Sequence, residues 1–453
     1  MDCSLFCIEQ VIEKNNSVLI QTSEGNIFYE KLANTLHIGK EELRELSDKT
    51  ESIKYNPSFE SESLKNKKNE LLESLVLNVT ESCNFACSYC IYSGKYKNER
   101  HENNLNMNFE TARKAINLFS SRSKNPSSIS FYGGEPLNNF DLIKEVIEYA
   151  KKTHPEKKFV FSMTSNFYNA DKFLEDIIKS EIHVNISLDG PKEIHNKNRK
   201  LKSGISTYDK IIENVAKAKE ISPDYTNLHI FYNATCENPD DLSTIIKFFQ
   251  ENEQFHVSKI NMVEGKGLLG EEIKNPNIQD IFNLMVEYRE AVLSKKDPGI
   301  LRKFFDSGLK DIALRNSEVM PTELMLNGAC YPGNRKLFVD TDGQFYMCEK
   351  FGGRASIGNV NKGIEKNLVD NLIIKFLDIR NDYCSNCWAQ RLCNLCIQSS
   401  KDPKEDISRE GLAQSCNSNK SPILLALINY ALLFKKNKKL LEEYILQLNK
   451  IGR

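Results

Sequence analysis

Short apolar runs alternate with longer amphipathic stretches through the middle of the chain. The runs are rich in β-branched and aromatic residues, which is typical of buried strands. We place these strands at 75–80, 128–132, 158–164, 183–188, 228–235 and 258–263. Between them, apolar residues recur every three or four positions, which predicts helices at 109–120, 140–152, 170–180, 208–220 and 240–250. This alternation predicts an α/β fold with βα units and a parallel sheet.

The two ends of the chain follow other patterns. Residues 18–22 and 26–29 predict a β-hairpin, and residues 40–47 predict a short helix. Residues 55–72 alternate Ser, Glu, Lys and Asn, which predicts a solvated linker or a charged helix. Residues 421–453 predict a helix or a helical pair that begins at Ser421-Pro422. We expect it to pack against the rest of the C-terminal region, and docking of a partner is the alternative.

The charge balance excludes a strongly basic or acidic protein. Lys and Arg number 61 against 62 Asp and Glu, so we expect neither nucleic acid nor a membrane as a partner. We expect no export signal, because the first residues lack a basic region and a long apolar region, and the apolar stretch 423–434 is too short to span a bilayer. The 13 cysteines then indicate metal ligands in a reducing cytoplasm, because disulfides are rare there.

Three of these cysteines follow the strand at 75–80 directly. Cys83, Cys87 and Cys90 have the spacing C-x₃-C-x₂-C. Three thiolates on one short loop suit an iron–sulfur cluster with one open iron better than a disulfide or a closed zinc site. A structural zinc knuckle or separate buried thiols are the alternatives. The spacing therefore indicates that this loop has a chemical role and not only a structural one.

With Tyr89 just before its last cysteine, the loop resembles the radical S-adenosylmethionine (radical SAM) superfamily. The resemblance implies a [4Fe–4S] cluster on Cys83, Cys87 and Cys90 whose open iron binds S-adenosylmethionine. It also implies catalysis by a 5′-deoxyadenosyl radical, which abstracts a hydrogen atom from the substrate. The implied fold is a partial (β/α)₆ barrel, in which the working residues lie at the C-terminal ends of the strands.

Motifs at three further predicted strand ends resemble the S-adenosylmethionine pocket of this family. Gly-Gly-Glu-Pro after the second strand implies contact with the methionine ammonium group, and Ser165 with Asn166 implies contact with the ribose, although Phe167 stands where Gly is usual. After the fourth strand, Ser187 and Arg199 are implied to hold the methionine carboxylate, with Asp189 near the ribose or the substrate. The implied pocket comprises Tyr89, Gly133, Gly134, Glu135, Pro136, Ser165, Asn166, Ser187, Asp189 and Arg199. We expect His195, within the last motif, to be a helix cap or a surface histidine.

A second group of cysteines lies in the C-terminal third, at Cys330, Cys348, Cys384, Cys387, Cys393, Cys396 and Cys416. It resembles the SPASM extension of radical SAM enzymes, which binds two auxiliary [4Fe–4S] clusters and brings the total to three. The resemblance implies a distal set of Cys384, Cys387, Cys393 and Cys416, and a nearer set of Cys330, Cys348 and Cys396. The nearer set lacks a fourth cysteine, so we hypothesise an open iron that binds a substrate thiolate. Two paired zinc sites are the alternative.

These resemblances predict four regions. Residues 1–70 are an N-terminal α+β region with a linker, compared by position and size with a winged-helix peptide-recognition element. Residues 71–305 are the barrel, 306–420 the SPASM domain and 421–453 the C-terminal helix. Of the remaining cysteines, Cys236 is expected to be a small buried hydrophobe. Two alternatives stay open for Cys3 and Cys7, which are four residues apart: they meet on one helix face, or they supply a missing cluster ligand.

SPASM-bearing relatives act mostly on peptides, and three reactions stay open. The first is thioether formation, in which a cysteine sulfur of a ribosomally made precursor peptide is joined to a carbon. The second is carbon–carbon crosslinking. The third is sulfatase maturation to formylglycine, in which the family uses an Asp base where this chain has Glu349. A cluster-bearing electron carrier is the non-enzymatic alternative. We expect a leader peptide to bind the N-terminal region and flavodoxin or ferredoxin to donate electrons.

Overall fold

The computed structural model describes residues 8–23, 25–39, 71–95, 100–263, 277–315, 330–351, 355–402 and 406–451. Two sheets organise them, one of four strands near the N-terminus and one of ten strands that runs through the rest. No helix in these ranges combines the length and apolar character needed to cross a membrane. Cys3, Cys7 and the predicted helix at 40–47 lie outside the described residues.

The N-terminal sheet is an antiparallel meander in which each strand pairs with the next. Its strands are β1 (Ile8–Glu13), β2 (Ser17–Thr22), β3 (Gly25–Glu30) and β4 (Thr35–Gly39). The predicted hairpin is confirmed as β2 and β3, with Leu19 opposite Phe28. One face of this hairpin presents Val18, Ile20, Ile27 and Tyr29 to a core that it shares with the C-terminal region.

The six predicted strands of the central region are confirmed, and they pair in parallel in chain order. They are β5 (Leu72–Thr80), β6 (Ser123–Gly133), β7 (Phe159–Ser165), β8 (His183–Ser187), β9 (Ile230–Cys236) and β10 (Val257–Met262). Leu75, Leu77 and Val79 point from β5 into the core formed with the helices. Since all neighbours are parallel, the C-terminal ends of the strands meet along one edge.

The five predicted helices of this region are also confirmed, and two short ones are added. The helices are α1 (Phe109–Arg122), α2 (Phe140–Thr153), α3 (Leu174–Lys179), α4 (Lys192–Asn198), α5 (Tyr208–Ile221), α6 (Pro223–His229) and α7 (Leu242–Glu251). The segment predicted at 170–180 divides into a 3₁₀ turn, Ala170–Lys172, and α3. The sequence did not predict α4 and α6, because seven residues are too few for a clear helical period.

The face of the sheet opposite the helices is polar and half-buried. The hydroxyl oxygens of Ser130 and Ser162 lie 2.6 Å apart across β6 and β7. Further along the sheet, Asn261 donates from its side chain to the side-chain oxygen of Asn233 at 2.8 Å. This concave face therefore presents hydroxyl and amide groups along β6 to β10 and, at its β5 edge, a buried apolar cluster of Val76, Phe338 and Tyr346.

The ten-stranded sheet continues into the C-terminal region without a break. Strand β11 (Lys336–Val339) pairs in parallel with β5 and antiparallel with β12 (Gln344–Tyr346), which is followed by β13 (Gly358–Asn359) and β14 (Gly363–Ile364). Three helices of this part, which the sequence did not predict, are α8 (Ile278–Leu293), α9 (Arg302–Ala313) and α10 (Lys366–Cys384). The predicted domain boundary between 305 and 306 falls inside α9.

The final helix, α11 (Arg409–Ile451), is longer than predicted. Its expected start at Ser421-Pro422 is wrong, since Pro422 lies inside the helix. Proline removes one backbone hydrogen bond from the helix. Leu412 and Leu427 are buried on either side of Pro422, and their burial offsets the free energy lost with that bond. The expected helical pair is confirmed, because Asn437 has a non-helical backbone and its side chain accepts from the Leu440 amide at 3.1 Å.

Helix α11 joins the N-terminal sheet to the rest of the molecule. A core that includes Ile27 and Tyr29 from the sheet and Leu427 and Ala431 from α11 closes around Trp388. The Trp388 side chain is 1% exposed, and its ring meets the Tyr29 ring edge-on with centroids 6.3 Å apart. The predicted packing of the final helix against the C-terminal region is therefore confirmed.

Candidate active site

The cysteine loop starts where β5 ends, at the edge where the parallel strands terminate. Cys83, Cys87 and Cys90 are each partly buried free thiols. The backbone amide of Phe85 lies 3.4 Å from the Cys83 sulfur, and the Arg199 guanidinium lies 3.9 Å from the Cys87 sulfur. Burial raises the pKa of Cys87 to about 11, although the Arg199 charge works to lower it. A guanidinium and an amide aimed at the sulfurs suit thiolate ligands.

Gly133 and Gly134 bring the turn after β6 directly against this loop. The Gly134 amide donates to the Thr80 carbonyl at 2.9 Å. A Cβ at Gly133, where φ is +156°, would lie 2.2 Å from the Thr80 oxygen, and one at Gly134 would lie 2.3 Å from the Ser82 oxygen. Only glycine permits this approach, so both residues hold the base of the cysteine loop.

The Glu135 carboxylate is buried and connects the ends of β6 and β7. It accepts from the Ser165 hydroxyl at 2.7 Å, from the Asn166 amide at 2.7 Å and from the Leu137 amide at 3.1 Å. Burial raises its pKa to about 7, and these hydrogen bonds oppose the rise. The carboxylate therefore positions the neighbouring loops of the candidate pocket.

The segment after β7 keeps the backbone shape that glycine would give. Phe167, at the position where the family usually has Gly, has φ of 59° and is 1% exposed. Its amide donates to the Ser165 hydroxyl at 2.9 Å. The side chain of Asn166 donates to the Asn84 side-chain oxygen at 2.8 Å, within the cysteine loop. The departure at Phe167 therefore leaves Asn166 beside the cysteine loop.

Asp189 links the motif after β8 to the aromatic residue of the cysteine loop. Its carboxylate accepts from the Tyr89 hydroxyl at 2.5 Å and from the Thr235 amide at 2.9 Å. The Arg199 Nε lies 3.0 Å from the same carboxylate, and the guanidinium stacks 5.3 Å from the Tyr89 ring centre. Ser187 is buried at the end of β8. The structure thus brings three of the predicted pocket residues into direct contact.

His195 is neither a helix cap nor a surface residue, so that expectation is wrong. Its ring is fully buried inside α4, 3.3 Å from the Asp189 amide and 3.1 Å from the Thr207 hydroxyl. Burial, with the nearby Arg199 charge, lowers its pKa to about 3. A neutral imidazole accepting from the Asp189 amide fixes the turn that carries Asp189.

The distal cysteine set surrounds one cavity. Cys384 ends α10, Cys416 lies on α11, and Cys387 and Cys393 come from the loop after α10. All four line the cavity, together with Arg380, Asn419 and Lys420. The Asn419 side chain donates to the Cys393 sulfur at 3.3 Å. The structure therefore collects the four cysteines that the resemblance grouped, with polar donors beside them.

The nearer set lies against the barrel core. Cys330, Cys348 and Cys396 pack on that core, whereas Cys387 and Cys393 pack on the core around Trp388. Burial and the charges of Glu349 and Cys396 raise the pKa of Cys348 to about 12. Over the described ranges, no three His, Cys, Asp or Glu side chains converge closely enough to hold a single metal ion.

Glu349 is held in an ion pair. The Lys336 ammonium lies 3.0 Å from its carboxylate across the hairpin formed by β11 and β12. Burial works to raise the pKa of Glu349, but the charge and hydrogen bond of Lys336, with smaller contributions from the backbone and Lys350, together outweigh it, and the pKa is lowered. An ionised, paired carboxylate is a weaker proton acceptor than a free one.

One contact between the two cysteine regions was not predicted from the sequence. The Arg100 guanidinium, which follows the Cys83 loop along the chain, donates to the Glu349 carbonyl. It also stacks 4.1 Å from the Phe338 ring centre and 5.3 Å from the Tyr92 ring centre. An isolated arginine has no sequence signature, so this contact could be identified only from the structure.

Comparison with known proteins agrees with this geometry. Residues 77–249 match the model of the Radical SAM superfamily. The chain is 26% identical to the cysteine-type anaerobic sulfatase-maturating enzyme of Clostridium perfringens, over 77% of this chain and 94% of that one. It is also 26% identical to the radical SAM cyclopropyl synthase TigE of Paramaledivibacter caminithermalis, over 72% of this chain and 68% of that one.

Solved structures show the same fold. Tagged anSMEcpe with bound AdoMet has a TM-score of 0.60 and 22% identity, and the match covers 80% of this chain and 98% of that one. Residues 77–249 therefore carry a radical SAM domain, and the chain is similar to radical SAM enzymes over most of its length. More particularly, it is related to the anaerobic sulfatase-maturating and TigE-type radical SAM enzymes.

Proposed function

We propose that this protein is a radical SAM peptide maturase that forms thioether bonds in a ribosomally made, cysteine-containing precursor. In this proposal Cys83, Cys87 and Cys90 hold a [4Fe–4S] cluster. When bound there, the cluster and S-adenosylmethionine would supply a hydrogen-abstracting radical. The two C-terminal cysteine sets would hold auxiliary clusters.

The chain supplies the surroundings of the cofactor. Gly133 and Gly134 shape the turn beside the cysteine loop, and Glu135 locks that turn to Ser165 and Asn166. We assign the methionine part to the Gly-Gly-Glu-Pro turn, Ser187 and Arg199. The ribose is assigned to Ser165, Asn166 and Asp189.

A peptide substrate is supported by two observations. The relatives named above include maturases of a protein, and the solved fold has also been described for anSMEcpe with a bound Cp18Cys peptide. Within this chain, the concave face of the sheet carries hydroxyl and amide groups such as Ser130 and Asn261. Side-chain amides pair well with the N–H and C=O groups of an extended peptide.

We choose thioether formation because of the number of cysteines in the nearer set. Cys330, Cys348 and Cys396 are three, where the distal set has four. Cys236 is buried at the end of β9 with its sulfur 3.1 Å from the Asn238 carbonyl, which confirms its expected burial. A three-ligand cluster leaves a position for the thiolate of the substrate.

The proposed reaction balances with the groups it names. The acceptor carbon would give one hydrogen atom to the radical that bound S-adenosylmethionine supplies, the substrate thiol would lose one proton, and one carbon–sulfur bond would form. One electron remains, and the clusters on the C-terminal cysteine sets would accept it. The peptide therefore loses two hydrogens for each bond formed.

Sulfatase maturation is the second candidate, favoured by the relationship to sulfatase-maturating enzymes. It needs a base, and Glu349 is the candidate. Its ion pair with Lys336 and its lowered pKa argue against that role. The presence of Glu where the family has Asp also argues against Glu349 as the base.

Mass spectrometry of a co-expressed cysteine-rich peptide, before and after thiol alkylation, tests the proposal. Loss of two hydrogens per site with those thiols resistant to alkylation is the expected result. The same loss with every thiol alkylatable would instead mean carbon–carbon crosslinking. An aldehyde on a sulfatase-derived peptide, with no change in the cysteine-rich one, would select the second candidate.

Binding of a leader by the N-terminal region and reduction by flavodoxin or ferredoxin are further parts of the proposal. Pull-down of the precursor by the full chain would test the first. The comparison is a full-chain variant with a substitution on the surface of β1, within residues 8–39. Activity with reduced flavodoxin in place of dithionite would test the second.

A further inference from the structure

A buried lysine of the N-terminal sheet reaches the distal cysteine set. Lys31 follows β3 and is 0% exposed. Its ammonium donates to the carbonyl of Ser385 at 2.7 Å, one residue after Cys384 and two before Cys387. These two segments are 354 residues apart in the chain. A buried ammonium at this position is costly unless negative charge lies nearby.

The backbone around Lys31 is fixed from several sides. Its amide donates to the Asn16 carbonyl at 2.7 Å, and its own carbonyl accepts from the Asn34 amide at 3.1 Å. The Arg391 guanidinium donates to the Leu32 carbonyl at 3.0 Å. The fold therefore holds the ammonium in place before any ligand binds.

The negative charges that act on Lys31 come mainly from the cysteines. Burial lowers the pKa of Lys31 to about 8, and the charge of Cys387 opposes this most strongly, ahead of Glu30 and then Cys384. The Glu30 carboxylate accepts from the amides of Leu32 and Ala33, at 2.6 and 2.7 Å. The Glu30 carboxylate is therefore hydrogen-bonded to the backbone of the turn after β3.

The other cation on the α11 side of the cavity is already paired. Lys420 lies 2.6 Å from Glu13 of β1. Burial raises the pKa of the Cys384 thiol, and Arg380, which is 3% exposed and hydrogen-bonds that thiol, opposes the rise. Lys31 and Arg380 are thus the buried positive charges placed near this set.

We propose that Lys31 raises the reduction potential of the cluster held by the distal cysteines, making it the preferred final acceptor of the electron released from the substrate. This inference rests on the proposed function, which places a cluster there. Reduction adds one negative charge, and a fixed positive charge in a poorly polarisable interior stabilises the reduced form. The N-terminal sheet would then contribute to redox chemistry as well as to substrate recognition.

Two substitutions separate charge from structure. Lys31→Gln removes the charge and keeps an N–H donor for the Ser385 carbonyl, whereas Lys31→Arg keeps the charge. Lys124→Gln is the matched control, because Lys124 is half-exposed and pairs with Glu73 at 2.6 Å on the barrel surface. The full-length holoenzyme is titrated reductively and followed by electron paramagnetic resonance, with iron and sulfide counted for each variant.

We expect one cluster of Lys31→Gln to become harder to reduce. Its reduced fraction at a fixed potential should fall by at least about tenfold, as expected for loss of a nearby buried charge. The potentials of the other clusters of Lys31→Gln should not change. All cluster potentials of Lys31→Arg and Lys124→Gln should match those of the wild type. Unchanged potentials at full iron content would overturn the inference, as would loss of one cluster's iron, which would make Lys31 an assembly residue. Wild-type protein with iron at the Cys83 loop alone would refute the proposed function instead.

Discussion

The Cys83 loop and the distal cysteine cavity are built in opposite ways. The loop carries its three thiols within eight residues, and the strand ends around it come from one parallel sheet. The cavity draws its thiols from α10, α11 and the loop between them, and a lysine from the N-terminal sheet stands beside it. The first site belongs to one domain, whereas the second depends on how three regions pack.

Cysteines in the two regions should therefore control different reactions. Cys87→Ala should reduce cleavage of S-adenosylmethionine to the background without protein, because under the proposed function it removes a ligand of the cluster at which cleavage occurs. Cys393→Ala should keep cleavage within about tenfold of the wild type while peptide modification is lost. Quantifying 5′-deoxyadenosine and modified peptide in the same dithionite-driven reaction separates the two.

Cys236→Ala is the matched control, since that thiol lies in neither set. It should leave both products unchanged. If Cys393→Ala abolished cleavage as completely as Cys87→Ala, the two sites would not be separable and the comparison would fail.

Trp388→Ala should weaken the cavity region while sparing the barrel. The side chain is buried where the N-terminal sheet, α11 and the loop after Cys387 meet. Removing a buried tryptophan costs about 3 to 5 kcal/mol of unfolding free energy. Urea unfolding followed by circular dichroism should show an early transition, with Trp388→Phe closer to wild type. A single transition shifted as a whole would mean that the regions unfold together.

Glu349→Gln should have a smaller effect, on activity alone. If the carboxylate serves as an ion-pair partner of Lys336, peptide modification should fall by less than about tenfold, whereas loss of a general base costs about 10² to 10⁴. Initial rates with the cysteine-rich peptide decide between them. Lys336→Met is the companion variant, and a similar modest loss would support the paired role.

His195 should make stability depend on pH between about 3 and 6.5. Its pKa falls from 6.5 to about 3 on folding, so the unfolded chain binds a proton that the folded chain refuses. The contribution is complete above pH 6.5 and is lost as the pH falls towards 3, by up to about 1.4 kcal/mol per pH unit. Urea unfolding at pH 7, 6 and 5 should show a flatter profile for His195→Gln.

Exposed His256 supplies the control for that measurement, and His256→Gln should keep the wild-type slope. An unchanged slope in His195→Gln would show that the imidazole titrates in the folded protein.

What could be predicted from the sequence follows the same division. The six parallel strands and the Cys83 loop were predictable, because strand periodicity and a dense cysteine motif are both local signals. The grouping of Cys384, Cys387, Cys393 and Cys416 followed from family resemblance. Helices α8 and α10 were missed, although both are long.

The remaining features depend on contacts between distant parts of the chain. The burial of Lys31 depends on a segment more than 300 residues away. His195 is buried between the Asp189 amide and the Thr207 hydroxyl, and Thr207 is the residue just before α5. Neither residue carries a local pattern that distinguishes it from a surface lysine or histidine.

The pairing of β11 with β5 also sets an order of events during synthesis. Until β11 is made, the N–H and C=O groups along one edge of β5 have no partner strand, and such an edge can pair with other chains. At about 5 to 20 residues per second, β11 emerges roughly 10 to 50 s after β5. The nascent barrel is thus exposed to aggregation for that interval, and a chain ending at residue 305 would remain so permanently.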